Sequence, residues 1–137
     1  MILLDTHVWV WWLHGDPELP AGMSATIDIQ FEGGLAVSAI SCWEVAKLVE
    51  RKRLRLPFPI GEWMDEALEG AGIELIPLAR DIAIASTSLP GEFHRDPADQ
   101  IIVATARVRG LRLMTCDEKI RTYPYVHLAD ATRIHDR

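Results

Sequence analysis

The sequence predicts an α/β fold in which helices cover both faces of a central parallel sheet. Short apolar segments of strand length alternate with longer segments of helical pattern, an order typical of parallel strands joined by helical crossovers. The segment from Ile101 to Val108 is apolar nearly all round, which favours a helix inside the fold and not on its rim. At 137 residues the chain has the length of one domain, spanning 1–137.

Strand and helix signals follow one another along the chain. Strands are marked by short apolar or β-branched runs, and helices by longer apolar segments, with glycine or proline between them. We predict strands over 1–4, 35–40, 73–77 and 111–115, and an edge strand over 126–128. We predict helices over 7–14, 20–30, 42–54, 61–70, 81–89 and 97–109. In such a sheet, functional groups gather outside the carboxyl ends of the strands.

Two helix starts carry capping signals. Ser41 precedes the third predicted helix, and Glu44 follows three residues later, which is the spacing of a capping box. Asp96 lies before Pro97; proline is favoured at the first position of a helix, so Asp96 is predicted as the N-cap. Gly110 is predicted to end that helix.

Composition is that of a globular protein. The chain is 49% hydrophobic and 25% charged, and its longest apolar runs are far too short to span a bilayer. The N-terminus lacks a basic leader and a small-residue cleavage site, and Cys42 and Cys116 form no framework pattern. We therefore expect a cytoplasmic protein with reduced thiols and no membrane association.

The net charge of −6 counts against an extended electropositive surface for nucleic acid. Charge is nevertheless segregated along the chain, because the run from Lys47 to Arg55 is basic. Contacts of Lys47, Arg51 and Arg53 with an RNA backbone are one interpretation of this run. A solvated helix end that complements its own dipole is the other.

Four acidic residues follow predicted strands or open the helices beside them: Asp5, Glu44, Asp99 and Asp117. If they converge on one crevice, their oxygens would bind hard divalent cations such as Mg²⁺ or Mn²⁺. Cations held there would promote the hydrolysis of a phosphodiester. The conjunction therefore predicts metal-assisted phosphoryl transfer to water.

Each acid also has a structural explanation, and the residues alone leave both open. Asp5 and Asp117 could cap the helices that follow them, and Asp99 could complement a helix dipole. Glu44 could be only a capping-box partner of Ser41 or an ion-pair partner of Lys47. Asp96 is explained most simply as an N-cap. The four acids together are more informative than any one of them.

Other catalytic signatures are missing from the sequence. It has no glycine-rich phosphate loop, no GxSxG elbow and no histidine or cysteine pairs at metal-ligand spacing. The tryptophans Trp9, Trp11, Trp12 and Trp43 could stack on nucleobases. Such a cluster more often lies in a core or a protein interface, and we expect exposed aromatics near 9–12 to contact a protein partner.

Four blocks of the chain resemble the PIN-domain family, and most closely the VapC-type toxins of bacterial toxin–antitoxin pairs. The blocks are MILLDTHVWVWWL, SAISCWEVAKL, HRDPADQIIVATA and LRLMTCDEKI. The likeness extends from Met1 to about Leu128, and the four acids occur in the family's order. The resemblance implies a three-layer α/β/α PIN-like domain around a parallel sheet, with an acidic pocket that holds Mg²⁺ or Mn²⁺.

The resemblance also assigns roles to individual residues. The implied catalytic and metal-binding acids are Asp5, Glu44, Asp99 and Asp117. The implied supporting residues are Thr6 and Thr115, at positions where hydroxyls often support the pocket, together with Asp96 beside the third acid. One departure is that Gln100 follows the third acid, where many relatives carry arginine. This puts in doubt any ion pair normally made at that position.

The function that the resemblance implies is a metal-dependent endoribonuclease that stops translation by cutting RNA. A cognate antitoxin would neutralise it by covering the active site with its C-terminal segment, and the toxin would commonly form a homodimer. Two other functions remain open. One is a DNA-directed nuclease with the same site, and the other is a PIN-like binding module without nuclease activity.

Overall fold

The structure is a computed structural model that describes residues 1–129, and it contains a four-stranded sheet with helices on both faces. The strands are β1 (Ile2–Leu4), β2 (Leu35–Ser38), β3 (Ile73–Ile76) and β4 (Arg112–Met114). The helices are α1 (Thr6–His14), α2 (Ala21–Gln30), α3 (Ala39–Glu50), α4 (Ile60–Asp65), α5 (Arg80–Ser86), α6 (Pro97–Arg109) and α7 (Glu118–Arg121). A 3₁₀ turn, Phe31–Gly33, follows α2, and a π-helical turn, Glu66–Gly70, continues α4. Residues 130–137, which the sequence assigns to the same domain, lie outside the described residues.

The sheet is parallel throughout and has the order β3-β2-β1-β4. The chain moves outward from β1 through β2 to β3 and then crosses back to place β4 on the other side of β1. The strand order therefore reverses between β1 and β4. In open α/β sheets, ligands bind at the carboxyl ends of the strands beside such a reversal.

Alternation along the strands divides the core into two layers. Ile2 and Leu4 of β1 belong to one cluster, which they share with buried residues of α1, α2, α3 and α4. Leu3 belongs to the other cluster, together with buried residues of α5, α6 and α7. Because successive side chains of a strand point to opposite faces, the sheet is covered on both sides. The predicted three-layer α/β/α fold is confirmed, and α6 is buried along Ile102–Ala106 as expected.

The predicted capping box at α3 is wrong. The second strand ends at Ser38 and not at residue 40, because the Ser38 Oγ accepts a hydrogen bond from the Ile40 amide at 3.2 Å and caps the helix. The helix consequently begins at Ala39. Ser41 lies inside its first turn with a fully buried side chain, so it does not form a capping box with Glu44.

The predicted edge strand over 126–128 is reduced to one parallel bridge between Leu113 and Leu128.

Within residues 1–129, no helix is both long and apolar enough to cross a membrane.

The aromatic surface expected near 9–12 is largely absent, because the tryptophans there pack into the fold. Trp9 is fully buried, donates from Nε1 to the Ala67 carbonyl at 3.0 Å and lies 5.1 Å from the Trp63 ring. Trp11 and Trp12 are half-buried. The tryptophan that does face solvent is Trp43, which is 53% exposed.

Candidate active site

An acidic pocket of about 340 Å³ opens at the carboxyl edge of the sheet. The residues that line it are Asp5, His7, Trp11, Glu44, Asp96, Asp99, Cys116 and Asp117. Asp5 follows β1, Asp117 follows β4, Glu44 lies on α3 and Asp99 lies on α6. The structure therefore brings all four sequence-predicted acids, and Asp96 with them, to one cavity from four separate elements.

Asp5 is the most deeply buried of these acids, with 8% of its surface exposed. One carboxylate oxygen accepts a hydrogen bond from the Thr6 amide at 2.8 Å, and the other accepts from the Thr115 hydroxyl at 2.6 Å. The Thr115 oxygen in turn accepts from the Asp117 amide at 3.0 Å. Asp5 is therefore both the N-cap residue of α1 and a rigidly oriented member of the pocket. Thr115 thus contacts both Asp5 and Asp117, and its role as a support of the pocket stays a prediction.

Glu44 is held by the hydroxyls of the neighbouring helix start. The Thr6 hydroxyl donates to the Glu44 carboxylate, and the Thr6 and Ser41 hydroxyl oxygens lie 2.8 Å apart. The alternative of an ion pair between Glu44 and Lys47 is wrong, because the Lys47 ammonium lies 3.0 Å from Glu50. Ser41 was missed as a pocket support, since the sequence favoured a capping role for it.

Asp99 lies in the first turn of α6, where Asp96 caps the helix. The Asp96 Oδ1 accepts from the amides of Ala98 at 2.9 Å and Asp99 at 3.2 Å, as the sequence predicted. A hydrogen bond of 2.7 Å joins the Asp99 carboxylate to the His94 Nε2. The Gln100 amide group donates to the His94 carbonyl oxygen at 3.1 Å. Gln100 therefore holds the loop that carries His94, the partner of Asp99, through a hydrogen bond between uncharged groups.

His94 is a site residue that the sequence did not reveal. It lies five residues before Asp99 in a loop, so neither helical nor strand periodicity links the two side chains. The short separation between a histidine and an acid at a helix start was the available signal. The remaining acid, Asp117, accepts from the Lys119 amide at 2.8 Å and is the N-cap residue of α7.

The carboxylates of the pocket resist ionisation. Burial raises the pKa of Glu44 to about 7, the hydrogen bond from Thr6 opposes this rise, and repulsion from the neighbouring acids adds to it. Burial likewise raises the pKa of Asp99 to about 6, against the effect of its bond to His94. Burial also raises the pKa of Asp5. Among the described residues no lysine or arginine lines the pocket to offset this charge.

The donor chemistry of the pocket suits a hard divalent cation, which prefers carboxylate oxygens and would neutralise their mutual repulsion. The positions of the side chains suit a bound cation less well than their chemistry does. Within residues 1–129 no three histidine, cysteine, aspartate or glutamate side chains stand close enough together to hold one ion. Asp5, Glu44 and Asp99 each turn instead toward a donor within the protein. The residues therefore fit the cation by type and charge.

The raised pKa of Glu44 makes a prediction for the metal-free protein. The pKa of Glu44 is near 4.5 in the unfolded chain and near 7 in the folded protein. Below pH 4.5 the group is protonated in both states and does not lower the free energy of unfolding. The folded state loses stability as the pH rises from 4.5 through 7. We expect Glu44→Gln to raise the free energy of unfolding at pH 8 by about 1–2 kcal/mol, after allowance for the partial exposure of the group.

Denaturant unfolding in EDTA at pH 4.5 and pH 8 measures this effect. The matched control is Glu50→Gln, which changes an exposed acid on the same helix and loses its pair with Lys47. The expected gain appears only for Glu44→Gln and only at the higher pH. A Glu44→Gln protein no more stable than the wild type at pH 8 would contradict the electrostatic description of the pocket.

This fold and pocket define a PIN domain. The sequence model of the PIN-domain family matches residues 2–124, and the chain belongs to that family. Among individual proteins, it is 36% identical over 122 residues to Ribonuclease VapC22 of Mycobacterium tuberculosis, a match that covers 89% of this chain and 91% of that protein. The predicted likeness to PIN domains of the VapC type is confirmed.

Several solved structures share this fold. VapBC2 from Rickettsia felis, solved with a DNA fragment from its promoter, aligns with a TM-score of 0.67 at 18% identity, over 94% of this chain and 98% of that one. FitAcB from Neisseria gonorrhoeae aligns with a TM-score of 0.66 at 24% identity, over 96% and 99%. A toxin–antitoxin complex from Klebsiella pneumoniae gives a TM-score of 0.62 at 22% identity, over 90% and 93%. At these identities the structures support the fold.

Proposed function

We propose that the protein is the toxin of a toxin–antitoxin pair and acts as a metal-dependent endoribonuclease that inhibits translation. The observation that carries this proposal is the convergence of Asp5, Glu44, Asp99 and Asp117 on one pocket from four separate elements. The similarity to a ribonuclease over most of the chain supports it. The proposed reaction is hydrolysis of an RNA phosphodiester bond.

The proposed cofactor is Mg²⁺ or Mn²⁺, held mainly by Asp5 and Asp99, with Glu44 and Asp117 completing the site directly or through water. When bound, such a cation activates water and offsets the charge of the phosphate. The supporting residues restrict how the acids can turn. Thr6 and Thr115 hold Asp5 by both oxygens, and outer contacts of this kind orient ligating side chains.

The proposed partners are an RNA substrate, a cognate antitoxin and a second copy of the chain, in the cytoplasm. One solved structure with this fold is a toxin–antitoxin complex, which supports an antitoxin as a partner of this chain. Large apolar side chains that are exposed to solvent leave room for a protein contact: Leu75, Leu78 and Ile84. Ile84 alone is 67% exposed.

Contacts of the RNA backbone with Arg51 and Arg53 lead to a binding prediction. Both side chains are exposed, and both line a groove that also contains Glu44. We expect Arg51→Glu or Arg53→Glu to weaken RNA binding for every sequence tested. Removal of one arginine–phosphate pair should also reduce the slope of log affinity against log salt by about 1.

Titration of a labelled RNA at several salt concentrations measures both quantities. Arg80→Glu is the matched control, because Arg80 is an exposed arginine at the start of α5 and lies outside the groove. An unchanged affinity and salt slope for the Arg51 and Arg53 variants would remove the backbone contact from the proposal.

The choice between RNA and DNA as substrate is tested by matched strands. The acids and the cation do not read the sugar, so a DNA-directed nuclease would use the same pocket. Cleavage of an RNA strand, with a DNA strand of the same sequence left intact under the same conditions, is the result that the proposal requires. Cleavage of the DNA alone would assign the site to a DNA-directed enzyme.

A further inference from the structure

A groove of about 460 Å³ lies beside the acidic pocket and continues from it. Glu44 and Asp96 contribute to both cavities. Lys47, Arg51 and Arg53, from the basic end of α3 and the turn after it, also line the groove. A ligand in this groove would therefore reach from the carboxylates to the basic residues.

Trp43 lines the same groove and is unlike the other described tryptophans of the chain. Its side chain is 53% exposed, whereas Trp9 and Trp63 are buried in the core. It shares the groove with Glu44, which also lines the acidic pocket, so a group stacked on its ring would lie near that pocket. The Lys47 ammonium lies over the ring, 5.9 Å from its centre, so a positive charge accompanies the aromatic surface.

The charges of the groove indicate the kind of ligand. Arg51 and Arg53 are exposed, and neither forms a salt bridge within residues 1–129. Basic side chains along a groove with an exposed aromatic ring are the combination that binds single-stranded nucleic acid. The backbone contacts the cations, and an unpaired base stacks on the ring. In a duplex the base faces are already stacked on each other and cannot contact the tryptophan.

We propose that Trp43 is a stacking platform for one unpaired nucleobase next to the bond that is cut, with the RNA backbone running along the groove toward Arg51 and Arg53. This inference rests on the proposed ribonuclease function and narrows its substrate. The RNA must be single-stranded or looped at the cleavage site. Trp43 is then a residue that determines which RNA structures are accepted.

The experiment measures binding of fluorescein-labelled oligo(A) and oligo(U) decamers and of an RNA duplex of the same length. The protein carries Asp99→Asn, so that the RNA stays intact in Mg²⁺. Trp43→Ala should weaken binding of the single strands about 5- to 150-fold, the range that removal of one base–aromatic stack produces. The salt slope should not change, because no charge is removed. Trp43→Phe, which retains a ring, should recover most of the affinity.

Ile84→Ala is the matched control, because it truncates an exposed apolar side chain that lies outside the groove. Single-strand affinity unchanged by Trp43→Ala, or a duplex that binds as tightly as the single strands, would overturn the stacking proposal. The same follows if Trp43→Ala leaves RNA binding intact but prevents binding of a co-expressed protein partner, which would assign the groove to that partner.

Cleavage by the protein with Asp99 intact separates this proposal from the function on which it rests. If that protein cleaves RNA and Trp43→Ala binds single strands normally, the stacking platform is wrong and the ribonuclease proposal stands. If Trp43→Ala weakens binding while the intact protein cleaves no RNA, Trp43 stacks on an RNA base, but the ribonuclease proposal falls, and with it the position of the platform next to a cut bond. If the protein binds no RNA at all, both are overturned.

Discussion

Lowering the pH from 8 to 5 is expected to weaken binding of Mg²⁺ or Mn²⁺ on the order of 10³-fold, because cations bind ionised carboxylates and must compete with protons. The pKa values of about 7 for Glu44 and about 6 for Asp99 leave about one protein in 10³ with both groups ionised at pH 5. The raised pKa of Asp5 adds to the effect in the same direction.

Calorimetric titration of the protein with Mn²⁺ in two buffers of different ionisation enthalpy measures this weakening and also counts the protons released. At pH 6.5 binding should release protons, and Glu44→Gln should release fewer. Glu50→Gln, on the same helix but exposed to solvent, should behave as the wild type. An affinity that does not change between pH 8 and pH 5, with no proton release, would show that Glu44 and Asp99 are not ligands.

Asp99→Asn is expected to reduce RNA cleavage by about 100-fold or more. Removing residues that only orient metal ligands typically costs 10- to 100-fold, and removal of a proposed ligand should cost at least as much. The neutral amide attracts the cation less strongly than a carboxylate does. The hydrogen bond between the Asp99 carboxylate and His94 is also replaced by a contact with an uncharged amide.

Unfolding cannot account for such a reduction, because the charge of Asp99 is already unfavourable in the metal-free protein. Its pKa is raised to about 6, so the amide should leave the melting temperature at pH 8 unchanged or higher. The control is Glu74→Gln, which neutralises an exposed acid on β3. Rates close to that of the wild type for Asp99→Asn would exclude Asp99 from the reaction.

The convergence of the acids could be predicted from the sequence because parallel strands impose it. Asp5 and Asp117 follow strands that pair side by side, and the carboxyl ends of adjacent parallel strands lie at one edge of the sheet. Asp99 opens a helix whose buried face had to pack against that sheet. Periodicity and strand order are thus sufficient to bring these residues together.

The details that the sequence could not predict depend on contacts between distant residues. Ser38 and Ser41 both fit an N-cap pattern, and only the contact of Ser41 with Thr6, 35 residues away in the chain, shows which of them belongs to the pocket. The tryptophans present the same difficulty. Trp9 and Trp43 are the same residue type, so composition does not distinguish them. Which of the two faces the core depends on the side of its helix that packs on the sheet.

Incubation of purified protein with a total RNA pool and Mg²⁺ or Mn²⁺, beside an identical reaction in EDTA, tests the central claim most directly. We predict discrete RNA fragments that appear only in the reactions with metal, and mapping of their ends would identify the substrate. RNA that stays intact in every reaction, or fragments that form equally well in EDTA, would contradict metal-dependent RNA hydrolysis at the four-acid pocket.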